Sequence, residues 1–454
     1  MGSRLFFEAH MKLFLNAIKQ GNSKTRLSFL IPGFSCFAHK QFVRGFIFLI
    51  SHILLVLFFI FFGFERILGL KSLGTQTQEK IFSEARGIYI YTQGDNSMLF
   101  LLFGVLSILV FIGLCFLYYL NIRNAYKNQL LKEEGKDIPL FKTDVDRLLN
   151  AKYHVTVLSL PLVLTILFTV LPLIFMILIA FTNFDQNHQP PGNLFTWVGL
   201  DNFLDLFYNN KIISNTFFSL LQWTFIWAFF ATFLNYIFGM LLAILINSKA
   251  VHLKKMWRTF FVMTIAIPQF VSLLLMSKLL ADQGTINQVL MKYGFDFIPF
   301  LTHGTVAKIT VIIVNLWVGV PYTMLITSGI LMNIPQEMYE AARIDGAGPI
   351  KQFYYISLPY MLSVTAPYLI TQFVGNINNF NVIYLLTGGG PLTLKYFQAG
   401  ETDLLVTWLY KLTVNNKDYS IASAIGIIIF VISATISLVI FGKVTKKGRE
   451  GTFQ

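Results

Sequence analysis

Three amide side chains lie four and three residues apart in one long apolar segment. They are Gln372, Asn376 and Asn379, and this spacing places them on one face of a helix. An amide both donates and accepts hydrogen bonds, which suits the hydroxyls of a sugar. The rings of Trp317 and Tyr322, on the preceding apolar segment, suit the C–H faces of such a ligand. The alternative is that these amides only join neighbouring helices by hydrogen bonds.

A second group of residues lies in a segment rich in helix formers, glycine and proline, residues 334–359. The pattern predicts a helix over residues 336–344, a turn at Gly346 and a second short helix that begins at Pro349. This segment is longer than most connections between helices. It suits docking to another polypeptide, or it is an amphipathic connector packed only on its own chain.

Charged side chains flank two small ones at the end of the first of these two helices and just after it. Ala341 and Ala342 permit close approach of another surface, whereas Glu340, Arg343 and Asp345 offer charge-assisted hydrogen bonds. The residues alone support docking and connection equally.

Composition indicates that both groups belong to a membrane protein. Of 454 residues, 55% are hydrophobic and 13% are charged, whereas soluble proteins carry about 25% charged residues. The net charge of +13 does not require a nucleic-acid partner, because Lys and Arg collect in cytoplasmic loops of membrane proteins. Cys36 and Cys115 are interpreted as packing residues, since two cysteines make neither a metal pattern nor a disulfide framework.

Eight apolar segments reach the roughly 20 residues that a spanning helix needs. The sequence therefore predicts an all-α, polytopic membrane protein with about eight transmembrane helices. The segments are Gly45–Phe64, Met98–Ile122, Val155–Thr182, Thr216–Asn247, Thr259–Ala281, Ile309–Asn333, Ile356–Thr387 and Tyr419–Gly442.

The distribution of Lys and Arg predicts the orientation. With a cytoplasmic N-terminus, the inside segments hold 24 and the outside segments 10, so both termini are expected in the cytoplasm. We predict a cytoplasmic segment 1–43, two helices with a basic loop in 44–154, a six-helix core in 155–442 and a cytoplasmic tail 443–454. Within the first segment, Leu5–Ile18 is weakly amphipathic and suits an interfacial helix or a short soluble one.

The order of residues in segment 334–359 resembles the coupling loop of permease subunits from ATP-binding-cassette (ABC) importers. That motif reads Glu-Ala-Ala, three residues, Gly, nine residues, Ile, one residue and Leu-Pro. It is matched throughout by Glu340, Ala341, Ala342, Gly346, Ile356, Leu358 and Pro359. In that family the loop sits in a cleft of an ATPase subunit. The resemblance implies that Glu340 contacts the ATPase and that Gly346 makes the turn between two coupling helices.

Four other stretches are similar to the larger permease subunit of maltose and maltodextrin importers, the MalF type. They are Asn315–Tyr322, Gly375–Phe380, Thr387–Pro391 and Ala399–Leu405. The resemblance covers residues 155–454 well and 1–154 only in layout. It implies a type I permease core in a bacterial cell membrane, which translocates maltodextrin-type oligosaccharides by alternating access. It also implies sugar contacts from Val318, Gly319, Tyr322, Gln372, Asn376 and Asn379.

The chain departs from Gram-negative members at two places. Residues 183–215 are too short for their folded domain between spans three and four, which is similar to Gram-positive members. Gly375 stands where the family pattern has an aromatic ring. The absence of that ring would remove a stacking surface and widen the site for a longer or different oligosaccharide.

The resemblance also implies the partners. They are a second permease subunit of the MalG type, two ATPase subunits, an extracellular sugar-binding lipoprotein, the oligosaccharide and membrane lipid, without nucleic acid. No cofactor is expected in this chain, because ATP and Mg²⁺ would be used by the ATPase subunits.

Two other classes of protein make different demands on the sequence. A secondary transporter would need Asp or Glu deep within its spans, and the predicted spans hold none. A membrane enzyme acting on lipid-linked sugar would need catalytic carboxylates or a metal pair, for which Glu340 with Asp345 is the sole candidate cluster. We therefore expect a transport subunit and not an enzyme.

Overall fold

The computed structural model describes residues 13–84, 87–248 and 251–451, with side chains to Gly442. By internal contacts the chain divides into two compact units, Met1–Val198 and Gly199–Gln454. Residues 1–12, and with them part of the predicted amphipathic stretch, lie outside the described residues. Its remainder belongs to helix α1 over residues 13–20.

The first unit is helical apart from one hairpin in its described part. Strands β1 (Lys80–Ser83) and β2 (Ile88–Tyr91) pair antiparallel with Lys80 opposite Tyr91, and this hairpin was not predicted. The helices after α1 are α2 (Ser23–Leu30), α3 (Phe34–Ala38), α4 (Phe42–Phe58), α5 (Phe64–Gly69), α6 (Ser97–Glu133), α7 (Phe141–Leu149), α8 (Tyr153–Thr165) and α9 (Leu171–Ile179). Five-residue π-helical turns, Phe59–Gly63 and Ile166–Val170, join α4 to α5 and α8 to α9.

The second unit is helical throughout its regular elements. They are α10 (Asp201–Leu204), α11 (Lys211–Asn247), α12 (Lys254–Ala266), α13 (Gln269–Leu279), α14 (Thr285–Lys292), α15 (Gly304–Leu331), α16 (Gln336–Ile344), α17 (Pro349–Gln352), α18 (Leu358–Ile377), α19 (Asn381–Thr387), α20 (Leu405–Tyr410) and α21 (Tyr419–Gly451). Three π-helical turns, Asp205–Asn209, Phe353–Ser357 and Lys411–Asn415, precede α11, α18 and the loop before α21.

Helices α11 and α15 pack closely because small residues line their contact. A Cβ atom on Gly239 would lie 2.6 Å from Cβ of Thr323, so only glycine permits this approach of the two backbones. Nearer the start of α11, Trp223 and Trp227 are buried in one apolar cluster with Val311. This tight pair supplies two of the three helices that surround the candidate site.

The structure supports most of the predicted spans but not their exact number. Six helices in the described part are long and apolar enough to cross a membrane, and the pair α12 and α13 makes a seventh if counted as one span. That pair is bent by 88° at Ile267–Pro268, where both residues are extended rather than helical. The predicted segment Ile356–Thr387 is divided into α18 and α19 at residues 378–380, so the count of eight stays a prediction.

A buried ion pair organises the loop between α19 and α20. Lys411 Nζ lies 2.5 Å from Asp403 Oδ2, and the Asp403 side chain is fully buried. The backbone N–H of Gly400 and the hydroxyl of Thr407 also donate hydrogen bonds to this carboxylate. Burial raises the pKa of Asp403, and the Lys411 ammonium opposes that rise. The pair is therefore sensitive to anything that separates its partners.

We predict that Gly389→Ala destabilises the protein far more than Gly388→Ala. Both glycines have positive φ, so alanine costs about 1 kcal/mol at either position. A Cβ on Gly389 would also collide with the Asp403 carboxylate and crowd Lys411, whereas space at Gly388 is open. Breaking a buried ion pair costs about 3–5 kcal/mol. Thermal unfolding of the purified protein measures the difference, and equal melting temperatures for the two variants would contradict this account.

Candidate functional site

A small polar cavity lies between α11, α15 and α18 in the second unit. Its volume is about 40 Å³. Three residues predicted to contact sugar, Gly319, Tyr322 and Gln372, line it. The other lining residues are Ala231, Thr232, Asn235, Tyr236, Thr323, Tyr368 and Leu369. A cavity needs about 10–15 Å³ to hold one water molecule, so this cavity holds a few waters but not a sugar ring.

Asn235 of α11 is the polar group that the sequence interpretation missed. Its side chain lies against Gly319, where a Cβ atom would overlap the amide nitrogen. Its Oδ1 is buried and has no hydrogen-bond partner among the described residues. A buried acceptor without a partner costs about 1–3 kcal/mol, so a ligand hydroxyl that donates to it would recover that free energy. The signal was present in the sequence as an asparagine within an apolar span.

Tyrosine rings supply the apolar surface of this cavity. Tyr322 and Tyr368 lie with ring centroids 6.5 Å apart, and Tyr322 is about half exposed. The Tyr236 hydroxyl is held 2.8 Å from Thr365 Oγ1 and is buried. Tyr236 and Tyr368 were not singled out from the sequence, because a tyrosine within a span is equally typical of a packed core.

A second cavity, of about 260 Å³, shares Tyr322 with the first. Val318 and Trp317 line it, together with Pro268 and Gln269 at the break between α12 and α13. Its volume approaches the lower end of typical ligand pockets, which is about 300 Å³. Four of the six predicted sugar contacts therefore line two cavities that meet at Tyr322.

The remaining two predicted contacts, Asn376 and Asn379, make hydrogen bonds between and within helices. The Asn376 amide donates to Thr232 Oγ1 of α11 at 2.9 Å, and the Asn379 amide donates to Asn376 Oδ1 at 3.2 Å. Asn379 Oδ1 in turn accepts from the backbone N–H of Val382 at 3.2 Å, at the start of α19. These hydrogen bonds agree with the alternative that the amides join neighbouring helices. Thr232, the partner of Asn376, also lines the first cavity.

Segment 334–359 has the predicted helix, turn and helix. Helix α16 ends at Ile344, Asp345 follows as its C-terminal cap, and Gly346 has a φ of +77°. The N–H of Ala347 donates to the carbonyl of Ala342 at 2.8 Å, which closes the turn before α17 begins at Pro349. Pro359 lies in the first turn of α18. The sequence pattern was sufficient here because glycine and proline determine each boundary locally.

The segment is anchored on one side and open on the other. Tyr339 and Ser357 join α16 to the turn before α18 through a 2.8 Å hydrogen bond between their hydroxyls. Ile344, Ile350 and Tyr355 are 87%, 74% and 81% exposed. Among the motif members, Glu340, Ala341, Gly346 and Pro359 are exposed, as are Arg343 and Asp345 beside them, whereas Ala342, Ile356 and Leu358 are half-buried. An exposed apolar surface with charged neighbours is typical of an interaction site.

The site contains no constellation for metal chemistry in the described part of the chain, where no group of three or more His, Cys, Asp or Glu residues could hold an ion. Several apolar helices, polar cavities between them and an exposed loop helix together define a multi-pass membrane transport protein. The comparisons with known proteins identify its family.

Residues 235–448 match the family described as binding-protein-dependent transport system inner membrane component. The chain is 35% identical to the galactooligosaccharides transport system permease protein GanP of Bacillus subtilis, over 90% of this chain and 94% of that protein. It is 34% identical to the maltodextrin transport system permease protein MalC of Streptococcus pneumoniae, over 94% and 97%. The chain belongs to this family of ABC importer permeases and is a transport subunit, not an enzyme.

The fold is similar to that of a chain in a bacterial alginate ABC transporter, solved with an alginate pentasaccharide-bound periplasmic protein. The TM-score is 0.53 at 22% identity, covering 66% of this chain and 95% of that one. This likeness supports the type I permease fold predicted from the sequence.

We predict that Gly319→Ala reduces transport about tenfold with little loss of stability. The new methyl group would displace the Asn235 amide from its place in the cavity wall. Loss of one hydrogen bond to the ligand costs about 1 kcal/mol or slightly more, which corresponds to roughly a tenfold effect. Uptake of labelled sugar and thermal unfolding of the same preparation separate the two effects.

Gly329→Ala is the matched control on the same helix, because space at Gly329 is open. It should leave uptake unchanged and stabilise α15 slightly, since alanine is favoured over glycine within helices. Normal uptake by the Gly319 variant would rule out Asn235 as a ligand group.

Proposed function

We propose that this chain forms part of the path through which an ABC importer translocates a neutral oligosaccharide by alternating access. The observation that supports this proposal is the pair of cavities at Tyr322, lined by amides, hydroxyls and tyrosine rings without an ionisable carboxylate or amine. Amides and hydroxyls satisfy sugar hydroxyls, and rings cover sugar C–H faces. An ionic substrate would call for a charged partner in the wall.

Neither cavity alone is large enough for an oligosaccharide. About 40 Å³ and about 260 Å³ become one space large enough for sugar rings only if the Tyr322 side chain moves or the helices separate. The 88° break between α12 and α13 gives one wall of the larger cavity a place to bend. Alternating access then corresponds to a shift between two populated states rather than to a fixed pore.

We propose that α16 and α17 face the cytoplasm and dock into an ATPase subunit. The excess of Lys and Arg on the same side of the predicted spans favours this orientation, with both termini cytoplasmic. Exposed Ile344, Ile350 and Tyr355 provide apolar contact area, and Glu340 and Arg343 provide charged contacts beside it. Anchoring of α16 through Tyr339 to Ser357 would pass movement of the docked surface to α18, which lines the first cavity.

The remaining partners follow from this arrangement. They are a second permease subunit of the MalG type, two ATPase subunits that bind ATP and Mg²⁺, and an extracellular sugar-binding lipoprotein. The family description, binding-protein-dependent transport system, supports the last of these.

We predict that Glu340→Lys abolishes ATP-driven uptake without changing the affinity of the binding protein for sugar. A lysine at this exposed position reverses the charge presented to the ATPase and replaces an attraction with a repulsion. Uptake into proteoliposomes and co-purification of the ATPase measure the effect. Glu79→Lys, the same charge reversal at an exposed position outside segment 334–359, is the control and should retain most uptake. Full uptake by the Glu340 variant would refute the docking role.

Two sugars are candidates for the substrate. Maltodextrin is supported by the resemblance and by the MalC relative, and galactooligosaccharide by the GanP relative of similar identity. We expect uptake of labelled maltotriose to be suppressed by excess unlabelled maltodextrin and only weakly by galactooligosaccharide. The reverse order of competition would assign the transporter to galactooligosaccharides, and no competition by either would exclude both.

A further inference from the structure

A large basic basin lies in the first unit, whereas the two sugar cavities belong to the second. It consists of two cavities of about 810 Å³ and 440 Å³ that share Lys127 and Arg147 in their walls. Eight Lys or Arg side chains and one histidine line the basin, against two carboxylates. The walls are the start of α4, the last third of α6, the loop before α7 and α7 itself. Such an excess of one charge in a concave surface attracts an anion.

Most of these cations have no acidic partner in the described part of the chain. Asp144 forms an ion pair with Arg44, and Glu134 lies 2.7 Å from Lys136. No carboxylate lies within ion-pair distance of Lys127, Arg147 or Lys152 in the same described residues. At the rim, burial and the nearby Lys24 and Lys132 ammonium groups lower the pKa of His39. The basin therefore carries positive charge that the chain itself leaves uncompensated.

The walls are held by contacts that do not involve these unpaired cations. The Gln41 side chain donates to the carbonyl of Pro139 at 2.7 Å and accepts from the Asn128 amide at 2.8 Å. Arg44 donates to Asn124 Oδ1 at 3.0 Å while its ion pair with Asp144 holds α7. The concave shape is therefore present without a ligand. Substituting the unpaired cations leaves the hydrogen bonds and the ion pair that hold the walls intact.

Helix α7 adds an apolar edge to the basin. Phe141, Leu148 and Leu149 lie on one face of this short helix and are 43%, 41% and 57% exposed. Asp144 and Arg147, on the same helix, line the basin. A helix with a charged face and an exposed apolar face is typical of the boundary between lipid headgroups and acyl chains. The apolar spans that contain α4 and α8 begin near the basin, at Phe42 and Tyr153, which agrees with a position at the membrane surface.

We propose that this basin binds the phosphate headgroup of an anionic phospholipid, with the apolar face of α7 among the acyl chains. The unpaired cations recognise the phosphate, and the apolar edge distinguishes a lipid from a phosphate in water. Basic pockets beside the membrane ends of spanning helices bind anionic headgroups in this way. Lipid composition would then influence the first unit.

The test measures lipid retained by the full chain purified with its partner subunits. Wild type and the variant Lys127→Gln/Arg147→Gln/Lys152→Gln are equilibrated with equal amounts of phosphatidylglycerol and phosphatidylcholine in detergent. Bound lipids are then counted by native mass spectrometry. We expect wild type to retain more phosphatidylglycerol than phosphatidylcholine. In the variant, the ratio of the two retained lipids should fall by about tenfold or more, because each surface cation contributes several-fold to anionic lipid binding.

The control, Lys71→Gln/Lys292→Gln/Lys395→Gln, removes the same charge from exposed positions outside the basin. It should behave as wild type. Unchanged phosphatidylglycerol retention in the basin variant, or an equal loss in the control, would overturn the proposal. Displacement of the lipid by a few millimolar inorganic phosphate would assign the basin to a water-borne anion instead. If the triple variant fails to assemble, Arg147→Gln alone is measured, and retention equal to wild type again overturns the proposal.

Discussion

A polar side chain within an apolar helix bundle raises the free energy of the fold unless another group hydrogen-bonds to it. Most such groups in α11 and α18 satisfy this constraint within the protein, as Asn376 does with Thr232 and Tyr236 with Thr365. Asn235 does so only in part, because its Oδ1 lacks a partner among the described residues. Trp227 Nε1 and Asn315 Nδ2 also lack partners in the described part of the chain, but of these three residues only Asn235 lines the first cavity, which makes it the candidate ligand group.

Close packing of α11 against α15 shapes the surroundings of Asn235. Gly239 brings the two backbones together, and Gly319 leaves room for the Asn235 amide and for no methyl group. Glycines therefore have two effects here: Gly239 sets the distance between the helices, and Gly319 shapes the wall of a cavity.

Local patterns in the sequence were sufficient wherever structure is determined locally. Glycine and proline predicted the boundaries of α16 and α17, and apolar length predicted six of the spans. Prediction was weaker where structure depends on contacts between distant segments. Asn376 lies 144 residues from its partner Thr232, so the sequence could not show whether its amide was free for a ligand. The ion pair of Asp403 with Lys411 was likewise missed, because both residues look solvent-exposed in a loop sequence.

The break at Ile267–Pro268 affects which parts of the cavity wall can change when residues are substituted. A helix end leaves main-chain N–H and C=O groups without intrahelical partners, and here the end of α12 and the start of α13 meet beside the larger cavity. Peptide groups stay the same whatever side chain a residue carries, so substitutions around this cavity leave the main-chain groups at the break in place.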